Sequence, residues 1–327
     1  MVFVTGATGF VGAHLVRALL ARGEAVRCLV RPGGRRDGFG GKAEVVEGDL
    51  GDRALLGRAL AGCQMLFHCA ADYRLHVPDP AAMYQSNVAG TENVLGAAAD
   101  AGVSRVVYTS SVATLVGADD QTPATEAALP ALGDMVGPYK RSKFLAERAA
   151  LAWHALGLPV VIVNPSTPVG ELDVKPTPTG RLVVDFLNRR MPAYVSTGLN
   201  LIDVRDVAAG HLLAAERGRP GERYILGHRN MTLREVLQAL GRVARLPAPW
   251  LRLPHFVPLA LAVLEAPFAR RAGRAPRIPL DGVRMSRRTM YVDAGKAVRE
   301  LGLPQSGVEE ALGRAVAWFR AEGYAPA

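Results

Sequence analysis

Short apolar runs alternate with amphipathic runs along the first 165 residues of this 327-residue chain. Several apolar runs are nearly continuous, as in residues 160–163, which is typical of parallel strands buried on both faces of a sheet. The predicted strands are 2–5, 25–31, 43–47, 65–69, 105–111 and 160–164, and the predicted helices between them are 11–21, 53–61, 81–101 and 139–156. This alternation predicts right-handed crossovers and an α/β fold with a Rossmann-type, doubly wound parallel sheet.

The pattern changes after Asn164. Residues 165–200 are rich in proline, threonine and glycine, which predicts a long loop with one helix at 182–190. Further on we predict a strand at 201–204 that returns to the sheet, a helix from Asp206, its N-cap, to residue 216, a strand at 224–226, and mostly helices from Thr232. The predicted domains are a dinucleotide-binding Rossmann domain, 1–165 completed by 199–227, and a smaller, mostly helical substrate-binding domain, 166–198 and 228–327.

Cysteine usage and hydropathy indicate the compartment. The three cysteines, Cys28, Cys63 and Cys69, form no C-x-x-C pair, which argues against structural disulfides or a zinc site. The chain opens directly into a strand with no charged leader, and its longest apolar stretch, 256–264, falls short of the roughly 20 residues that a membrane span requires. We therefore expect a cytoplasmic protein without a metal site.

The net charge of +9 comes from arginine, since only five of the 39 basic residues are lysines. A basic balance can serve nucleic acid, a membrane surface or an anionic substrate. The arginines are spread along the chain without the interleaved aromatic residues of a platform on which bases stack. We interpret them as a solvated surface and expect no nucleic-acid partner.

The first feature that carries chemistry is the sequence TGATGFVG, residues 5–12, between the first strand and the first helix. Gly6 permits a tight turn, Gly9 lets the backbone approach a pyrophosphate, and Gly12 lets helix and strand pack closely. The helix N-terminus then offers free N–H groups to the phosphates. The cofactor contacts predicted in this turn are Gly6, Thr8, Gly9, Phe10, Val11 and Gly12.

The end of the second strand indicates which dinucleotide binds. NAD-specific folds place an acid there to bind the ribose 2′-hydroxyl, whereas residues 26–31 contain none. Arg31 stands where a guanidinium could clamp a 2′-phosphate through paired, charge-assisted hydrogen bonds. The sequence therefore favours NADP, with NAD as the alternative.

Two further strand ends are predicted to touch the cofactor. Asp49 and Leu50 follow the third strand, where the aspartate either accepts a hydrogen bond from the adenine amino group or caps the next helix. Cys69, Ala70 and Ala71 end the fourth strand, and their small side chains would let the backbone pass close to the cofactor.

A Tyr-x-x-x-Lys pair opens the predicted helix at 139–156. Residues four apart share a helix face, so Tyr139 and Lys143 project together. We expect the ammonium of Lys143 to lower the pKa of the Tyr139 phenol from its usual value near 10, so that Tyr139 can exchange a proton with a substrate hydroxyl or carbonyl. Ser111, at the end of the fifth strand, would donate a hydrogen bond to the substrate oxygen.

These motifs together resemble the extended short-chain dehydrogenase/reductases, the NAD-dependent epimerase/dehydratase family. The segments TGATGFVG, GDL, HCAA, SNVAGTENVL, YTSSVAT, YKRSK and LIDVRDVAAGH stand in the order of that superfamily. Within it, AADYRL, VVIVNPSTPVG, KPTPTGR and LDGVRM are most similar to hopanoid-associated sugar epimerases, and dihydroflavonol-4-reductase-like proteins come next. The resemblance implies the triad Ser111, Tyr139 and Lys143, the NADP-selecting role of Arg31, and cofactor contacts from Asn87, Thr109 and Pro165.

Departures from the family pattern narrow the reaction. Dehydratases of the family carry an Asp-Glu pair directly after the active serine or threonine, whereas Val112 and Ala113 follow Ser111 here. Decarboxylases carry a glutamate a few residues further on, and this sequence has none between Ser111 and Gly117. Val116 stands where plant flavonol reductases hold a substrate-binding asparagine. These three activities are therefore disfavoured.

The expected function is an NADP(H)-dependent oxidoreductase acting on a carbonyl or hydroxyl of a sugar-like or hopanoid-linked, ribosyl substrate. The alternative is an NAD(P)-dependent, hopanoid-associated sugar epimerase, and the third hypothesis is a binding protein that keeps the fold without the chemistry. Homodimerisation is left open.

Residues 256–268 are apolar at helical spacing and are followed by Arg270, Arg271, Arg274 and Arg277. One interpretation is a core helix whose basic C-terminal flank suits the helix dipole. The other is an apolar channel or a patch at the inner membrane surface that admits a lipid-linked substrate.

Overall fold

The computed structural model describes residues 1–34, 41–74, 77, 79–117, 122–271 and 280–326. The β-strands are β1 (Val2–Thr5), β2 (Val26–Val30), β3 (Glu44–Glu47), β4 (Met65–His68), β5 (Arg105–Thr109), β6 (Val160–Pro165), β7 (Thr167–Val169), β8 (Ala193–Val195), β9 (Gly198–Asp203), β10 (Arg223–Leu226), β11 (Arg229–Thr232) and β12 (Leu251–Leu253). The α-helices are α1 (Phe10–Ala21), α2 (Arg53–Leu60), α3 (Pro80–Tyr84), α4 (Gly90–Asp100), α5 (Gly137–Ala155), α6 (Pro178–Leu187), α7 (Val204–Arg217), α8 (Leu233–Ala244), α9 (Phe256–Arg271), α10 (Leu280–Met285), α11 (Gly295–Leu301) and α12 (Val308–Ala321).

Seven parallel strands form the central sheet in the order β3-β2-β1-β4-β5-β6-β10. Helices α1, α7 and α11 bury apolar side chains on one face, and α2, α4 and α5 on the other. Burial on both faces explains the continuous apolar runs of β5 and β6. The predicted α/β fold with a doubly wound parallel sheet is confirmed.

The C-terminal half builds a second layer. Helices α6, α8 and α12 enclose an apolar cluster with the three-stranded sheet β11-β9-β7. The expectation that 201–204 returns to the central sheet is wrong, because β9 pairs with β7 and β11 and the seventh central strand is β10. The helix predicted at 182–190 is present as α6, which begins and ends earlier, and the stretch 165–200 also contains the strands β7 and β8.

The helices predicted at 81–101 and 206–216 also differ from the prediction. The helix predicted at 81–101 is three consecutive segments, α3, one turn of π-helix (Gln85–Ala89) and α4. Helix α7 begins earlier than expected because Asp203, not Asp206, is its N-cap and accepts a hydrogen bond from Arg205 N at 2.9 Å. Asp206 is buried instead and accepts hydrogen bonds from the main chain and hydroxyl of Ser306.

None of the helices within the described ranges combines the length and the apolar character needed to cross a membrane. The same part of the chain contains no group of three or more His, Cys, Asp or Glu side chains placed to hold a metal ion. The sequence also predicts a flexible, glycine-rich loop at 33–41, and this stretch lies largely outside the described residues.

Candidate active site

The glycine-rich turn joins β1 to α1 at the carboxyl edge of the sheet. Gly6 adopts a φ of +70°, and a Cβ there would lie 2.6 Å from the main chain of Cys69 and Ala70. A Cβ at Gly12 would lie only 2.1 Å from Gly6 O. Both positions therefore require glycine, because a side chain would drive the turn away from the segment that follows β4.

The first turn of α1 fits a phosphate. Its N-cap, Gly9, supplies no side-chain hydrogen bond, and no acid occurs in the first turn. The leading N–H groups are thus left to a ligand, in a position where the helix dipole favours an anion. Thr8 is exposed at the outer end of this turn, whereas Phe10 is buried against the protein. The residues present therefore fit the pyrophosphate of a dinucleotide.

The expected adenine-side residues occupy the next two strand ends. Arg31 directly follows β2 and is exposed, and its positive charge helps to lower the pKa of the Asp72 carboxyl. Asp49 is exposed and accepts a hydrogen bond from Gly51 N at 2.9 Å, while Leu50 is buried. Asp49 is not the helix cap considered above, since Asp52 caps α2 through Leu55 N.

A buried histidine fixes the end of β4 beside the glycine turn. His68 Nδ1 lies 2.6 Å from Thr5 Oγ1, and its Nε2 lies 3.0 Å from Thr91 Oγ1. Burial, together with the charge of Lys143, lowers the pKa of His68 to about 3, so the ring is neutral at physiological pH. Through these two hydrogen bonds the neutral His68 ring connects β4 to β1 and to α4.

The three residues after His68 are Cys69, Ala70 and Ala71. The main-chain N–H of Ala70 donates a hydrogen bond to Thr5 Oγ1 at 3.3 Å. Burial raises the pKa of the Cys69 thiol to about 11. The thiol is therefore protonated, and the close passage of the cofactor along these residues stays a prediction. Pro165 is buried at the end of β6, and the next residue, Ser166, has a buried hydroxyl that lacks a hydrogen-bond partner among the described residues. An unpaired hydroxyl at this edge fits a polar ligand group such as a carboxamide.

The side chains of Asn87 and Thr109 form hydrogen bonds within the protein, although both residues were expected to contact the cofactor. Asn87 Oδ1 accepts from Asp72 N at 2.6 Å, and Asn87 Nδ2 donates to Asp72 O and to Ser142 Oγ, each at 2.9 Å. The hydroxyl of Thr109 lies 2.9 Å from Nε2 of His211, a ring that burial keeps neutral. Asn87 thus joins the segment after β4 to the helix that carries the expected Tyr-Lys pair.

Ser111, Tyr139 and Lys143 meet at the carboxyl end of β5. The strand stops at Thr109, and Ser111 caps a short 3₁₀ turn (Val112–Thr114) by accepting from Ala113 N at 3.1 Å. Tyr139 and Lys143 lie one turn apart in α5, which begins at Gly137. Ser111 is near enough to Tyr139 to lower the pKa of its phenol, and Tyr139 remains partly exposed.

The expected effect of Lys143 on Tyr139 is not what the structure shows. Burial raises the pKa of Tyr139, and the hydrogen bond from Ser111 only partly opposes this shift. Lys143 Nζ instead donates to Thr109 O at 2.7 Å and lies 5.0 Å from the centre of the Tyr108 ring. Its own pKa is lowered to about 8 by burial, against the raising effect of Glu147 and Cys69. In this state Tyr139 is a protonated phenol, that is, a proton donor.

A buried polar network lies beneath the triad, and the sequence analysis missed it. Glu147, one turn beyond Lys143, accepts hydrogen bonds from Ser110, from Thr114 Oγ1 at 2.9 Å and from Asn164 Nδ2 at 2.9 Å. Arg223 on β10 approaches it at 3.4 Å. The spacing 139, 143, 147 continues one helix face and could have identified Glu147 from the sequence. This network holds β5, β6, β10 and α5 in one arrangement.

The glycine-rich turn and the cluster of Ser111, Tyr139 and Lys143 both lie in a region that matches a known protein family. A model of the NAD dependent epimerase/dehydratase family matches residues 2–227. A Synechocystis sp. protein provisionally named a dihydroflavonol 4-reductase is 51% identical over 327 residues, covering 98% of this chain and 95% of the relative. Sterol demethylase protein B of Methylococcus capsulatus is 38% identical, with 98% of each chain covered.

Two solved structures have the same fold over nearly their whole lengths. The crystal structure of gox2253 superposes with a TM-score of 0.89 at 43% identity, covering 99% of each chain. PA4631, a nucleoside-diphosphate-sugar epimerase from Pseudomonas aeruginosa, gives a TM-score of 0.81 at 28% identity, covering 99% of this chain and 98% of that one.

Proposed function

Since the chain belongs to the NAD-dependent epimerase/dehydratase family and is an NAD(P)-dependent enzyme, we propose that it is an NADPH-dependent reductase of a carbonyl group on a sugar-like or lipid-linked, ribosyl substrate. The observation that carries this proposal is the cluster of Ser111, Tyr139 and Lys143 beside the glycine-rich turn, with Tyr139 held as a protonated phenol. Net reduction of a carbonyl consumes one proton at oxygen, and Tyr139 is placed to supply it.

In the proposed reaction the nicotinamide supplies the hydride when it is bound. Ser111 donates a hydrogen bond to the carbonyl oxygen, and Tyr139 transfers its phenolic proton to that oxygen as the C–H bond forms. The hydride at carbon and the proton at oxygen together convert the carbonyl group into an alcohol. The dinucleotide that gave the hydride is left oxidised, so the reaction balances. Lys143, anchored on Thr109 O, stabilises the phenolate that remains until solvent reprotonates it.

The preference for NADP rests on Arg31. An exposed guanidinium directly after β2, in a strand end that lacks an acid, suits the dianionic 2′-phosphate of NADP better than a ribose hydroxyl. Removing a charge-assisted hydrogen bond of this kind costs about 1.5–3 kcal/mol. Arg31→Ala is therefore expected to weaken NADPH binding about tenfold or more and to leave NADH binding nearly unchanged.

Isothermal titration of the purified protein with each dinucleotide measures this effect. Arg58→Ala is the matched control, because Arg58 is also exposed and stands at the end of α2. NADH binding more tightly than NADPH to the unmodified protein would contradict the assignment.

Sugar epimerisation is the second candidate, favoured by the likeness to PA4631. An epimerase returns the hydride to the carbon it came from, so the cofactor is regenerated within each cycle and need not leave. A reductase exchanges its oxidised cofactor at every turnover. The two activities therefore differ in cofactor occupancy and in stoichiometry.

The deciding experiment has two parts. Purified protein is denatured and the released dinucleotide is measured, and reduced nicotinamide absorbance is then followed during turnover of ribosyl-lipid aldehydes in their open-chain form. We expect little retained nucleotide and one NADPH consumed for each product molecule. Near-full occupancy by NAD, with product formed and no net change in reduced cofactor, would identify an epimerase instead. Dinucleotide binding without turnover would support the third hypothesis, a protein that only binds.

A further inference from the structure

Helix α9 presents large apolar side chains to solvent. Leu261, Leu264 and Phe268 follow each other at helical spacing and are 50%, 65% and 70% exposed, and Phe256 is 69% exposed. The face that reaches the interior consists of small residues such as Ala262 and Ala269. The core-helix interpretation of 256–268 is therefore wrong, because most of the bulky apolar residues of this helix are exposed to solvent.

The apolar surface continues into the segment before the helix. Trp250 is 86% exposed and Leu251 is also exposed, and β12 leads directly from them towards α9. A helix that is apolar on both its inner and its outer face is normally covered on the outside as well. We refer to Trp250, Leu251, Phe256, Leu261, Leu264 and Phe268 as the α9 patch.

The charge around the α9 patch is strongly biased. Residues 245–288 contain nine arginines and only two acids, a local net charge of +7 in a chain whose total is +9. Within 245–288, the exposed arginines that the structure describes are Arg245, Arg252, Arg271, Arg284, Arg287 and Arg288. Both acids, Glu265 and Asp281, are half-buried, while Arg274 and Arg277 lie outside the described residues. Much of the excess positive charge of the chain is thus concentrated in this segment.

We propose that the α9 patch and its flanking arginines form a docking surface for an anionic lipid bilayer, with α9 lying in the plane of the headgroups. Bulky apolar side chains would enter the boundary between headgroups and acyl chains, while the arginines at both ends of the helix contact lipid phosphates. A second copy of the chain is disfavoured as the cover, because it would set two surfaces of net charge +7 against each other.

The docking surface lies close to the candidate active site. His255 Nε2 lies 2.9 Å from Ser286 O, which ties the start of α9 to the end of α10. The carboxylate of Asp281 on α10 lies against Gly137, where an added Cβ would approach it to 2.9 Å. Gly137 is the first residue of α5 and stands two residues before Tyr139. Docking would therefore bring the N-terminus of α5, next to Tyr139, close to the bilayer. The docking itself does not depend on the reaction proposed above.

The test is co-sedimentation of the full chain with vesicles of one part phosphatidylglycerol to two parts phosphatidylcholine. We expect binding to these vesicles, much weaker binding to pure phosphatidylcholine, and a decline when the salt is raised from about 0.15 M to about 1 M. The variant Leu261→Ser/Leu264→Ser/Phe268→Ser should lose about tenfold or more of the bound fraction. The control Leu129→Ser/Leu156→Ser, which changes two leucines that are 92% and 77% exposed elsewhere, should bind normally.

A charge series tests the second element of the surface. Arg252→Gln/Arg271→Gln/Arg287→Gln should reduce binding to the anionic vesicles, whereas Arg58→Gln/Arg234→Gln, exposed arginines on other helices, should not. Circular dichroism checks that each variant is folded, and Leu264→Ser alone replaces the triple variant if the latter is not. The proposal is overturned if the unmodified chain ignores anionic vesicles, if control and patch variants lose binding equally, or if the patch variants only convert a dimer into a monomer.

Discussion

Replacing Tyr139 with phenylalanine is expected to lower turnover by about 10²–10⁴-fold, the contribution typical of a positioned acid–base group. The substitution removes one oxygen and keeps the ring, so α5 and its packing should be retained. Burial raises the pKa of this phenol, which makes it the proton donor of the proposed reduction, and phenylalanine has no proton to give. In this variant Ser111 alone would remain to polarise the substrate oxygen.

Single-turnover kinetics and dinucleotide titration separate the two effects of this change. We expect the NADPH dissociation constant to move by less than about threefold, because the phosphate-binding turn is untouched. Tyr84→Phe is the control, since Tyr84 is a partly exposed tyrosine of α3 outside the triad. Near-normal turnover in Tyr139→Phe would show that another group donates the proton.

The sequence was informative about the sheet because the same physical pattern repeats in each unit. Strands β5 and β6 are continuous apolar runs flanked by helical periodicity, and both were located to within two residues. The predicted pairing of β9 with the central sheet was wrong, because a partly apolar run at 201–204 carries no information about which strand it pairs with. Pairing depends on the neighbours β7 and β11, and β7 lies in a proline-rich stretch that seemed irregular.

The site was predictable where residues are close in sequence and unpredictable where they are not. Tyr139 and Lys143 share a helix face by spacing alone, and Ser111 follows from its place at a strand end. The roles of His68, Glu147 and Arg223 depend on contacts with distant residues. The pairs His68–Thr91, Glu147–Asn164 and Glu147–Arg223 lie 23, 17 and 76 positions apart in the chain. Burial also cannot be obtained from a motif, which is why the direction of the Tyr139 pKa shift was predicted wrongly.

Lys143 is the residue whose titration should govern the enzyme at alkaline pH. Its ammonium is buried, and burial lowers its pKa to about 8 from the usual 10.5. A lowered lysine pKa means that the positive charge is present below about pH 8 and is lost as the pH rises through that value. In the proposed reaction this charge stabilises the Tyr139 phenolate, so kcat/KM should decline above about pH 8. Tyr139 adds no decline in this range, because its own pKa is raised above 10.

Lys143→Met removes the charge and keeps an unbranched side chain of similar length. We expect turnover to fall about 10²–10³-fold, because the phenolate loses its stabilising charge. NADPH binding should weaken about tenfold, because we also expect Lys143 to donate a charged hydrogen bond to the nicotinamide ribose. The residual kcat/KM should be independent of pH between about 6 and 9, since the group that titrates near 8 is absent. Thr109 O would lose its partner at the end of β5, so a modest loss of thermal stability is also expected.

Lys140→Met is the matched control, because Lys140 lies on the same helix and burial lowers its pKa as well. It stands one residue after Tyr139 and points to a different side of α5, where the charge of Arg288 is felt. Its variant should keep both the rate and the alkaline decline near pH 8. If Lys143→Met retained that decline, the titrating group would lie elsewhere, and the ammonium would be a structural anchor for Thr109 that takes no part in proton transfer.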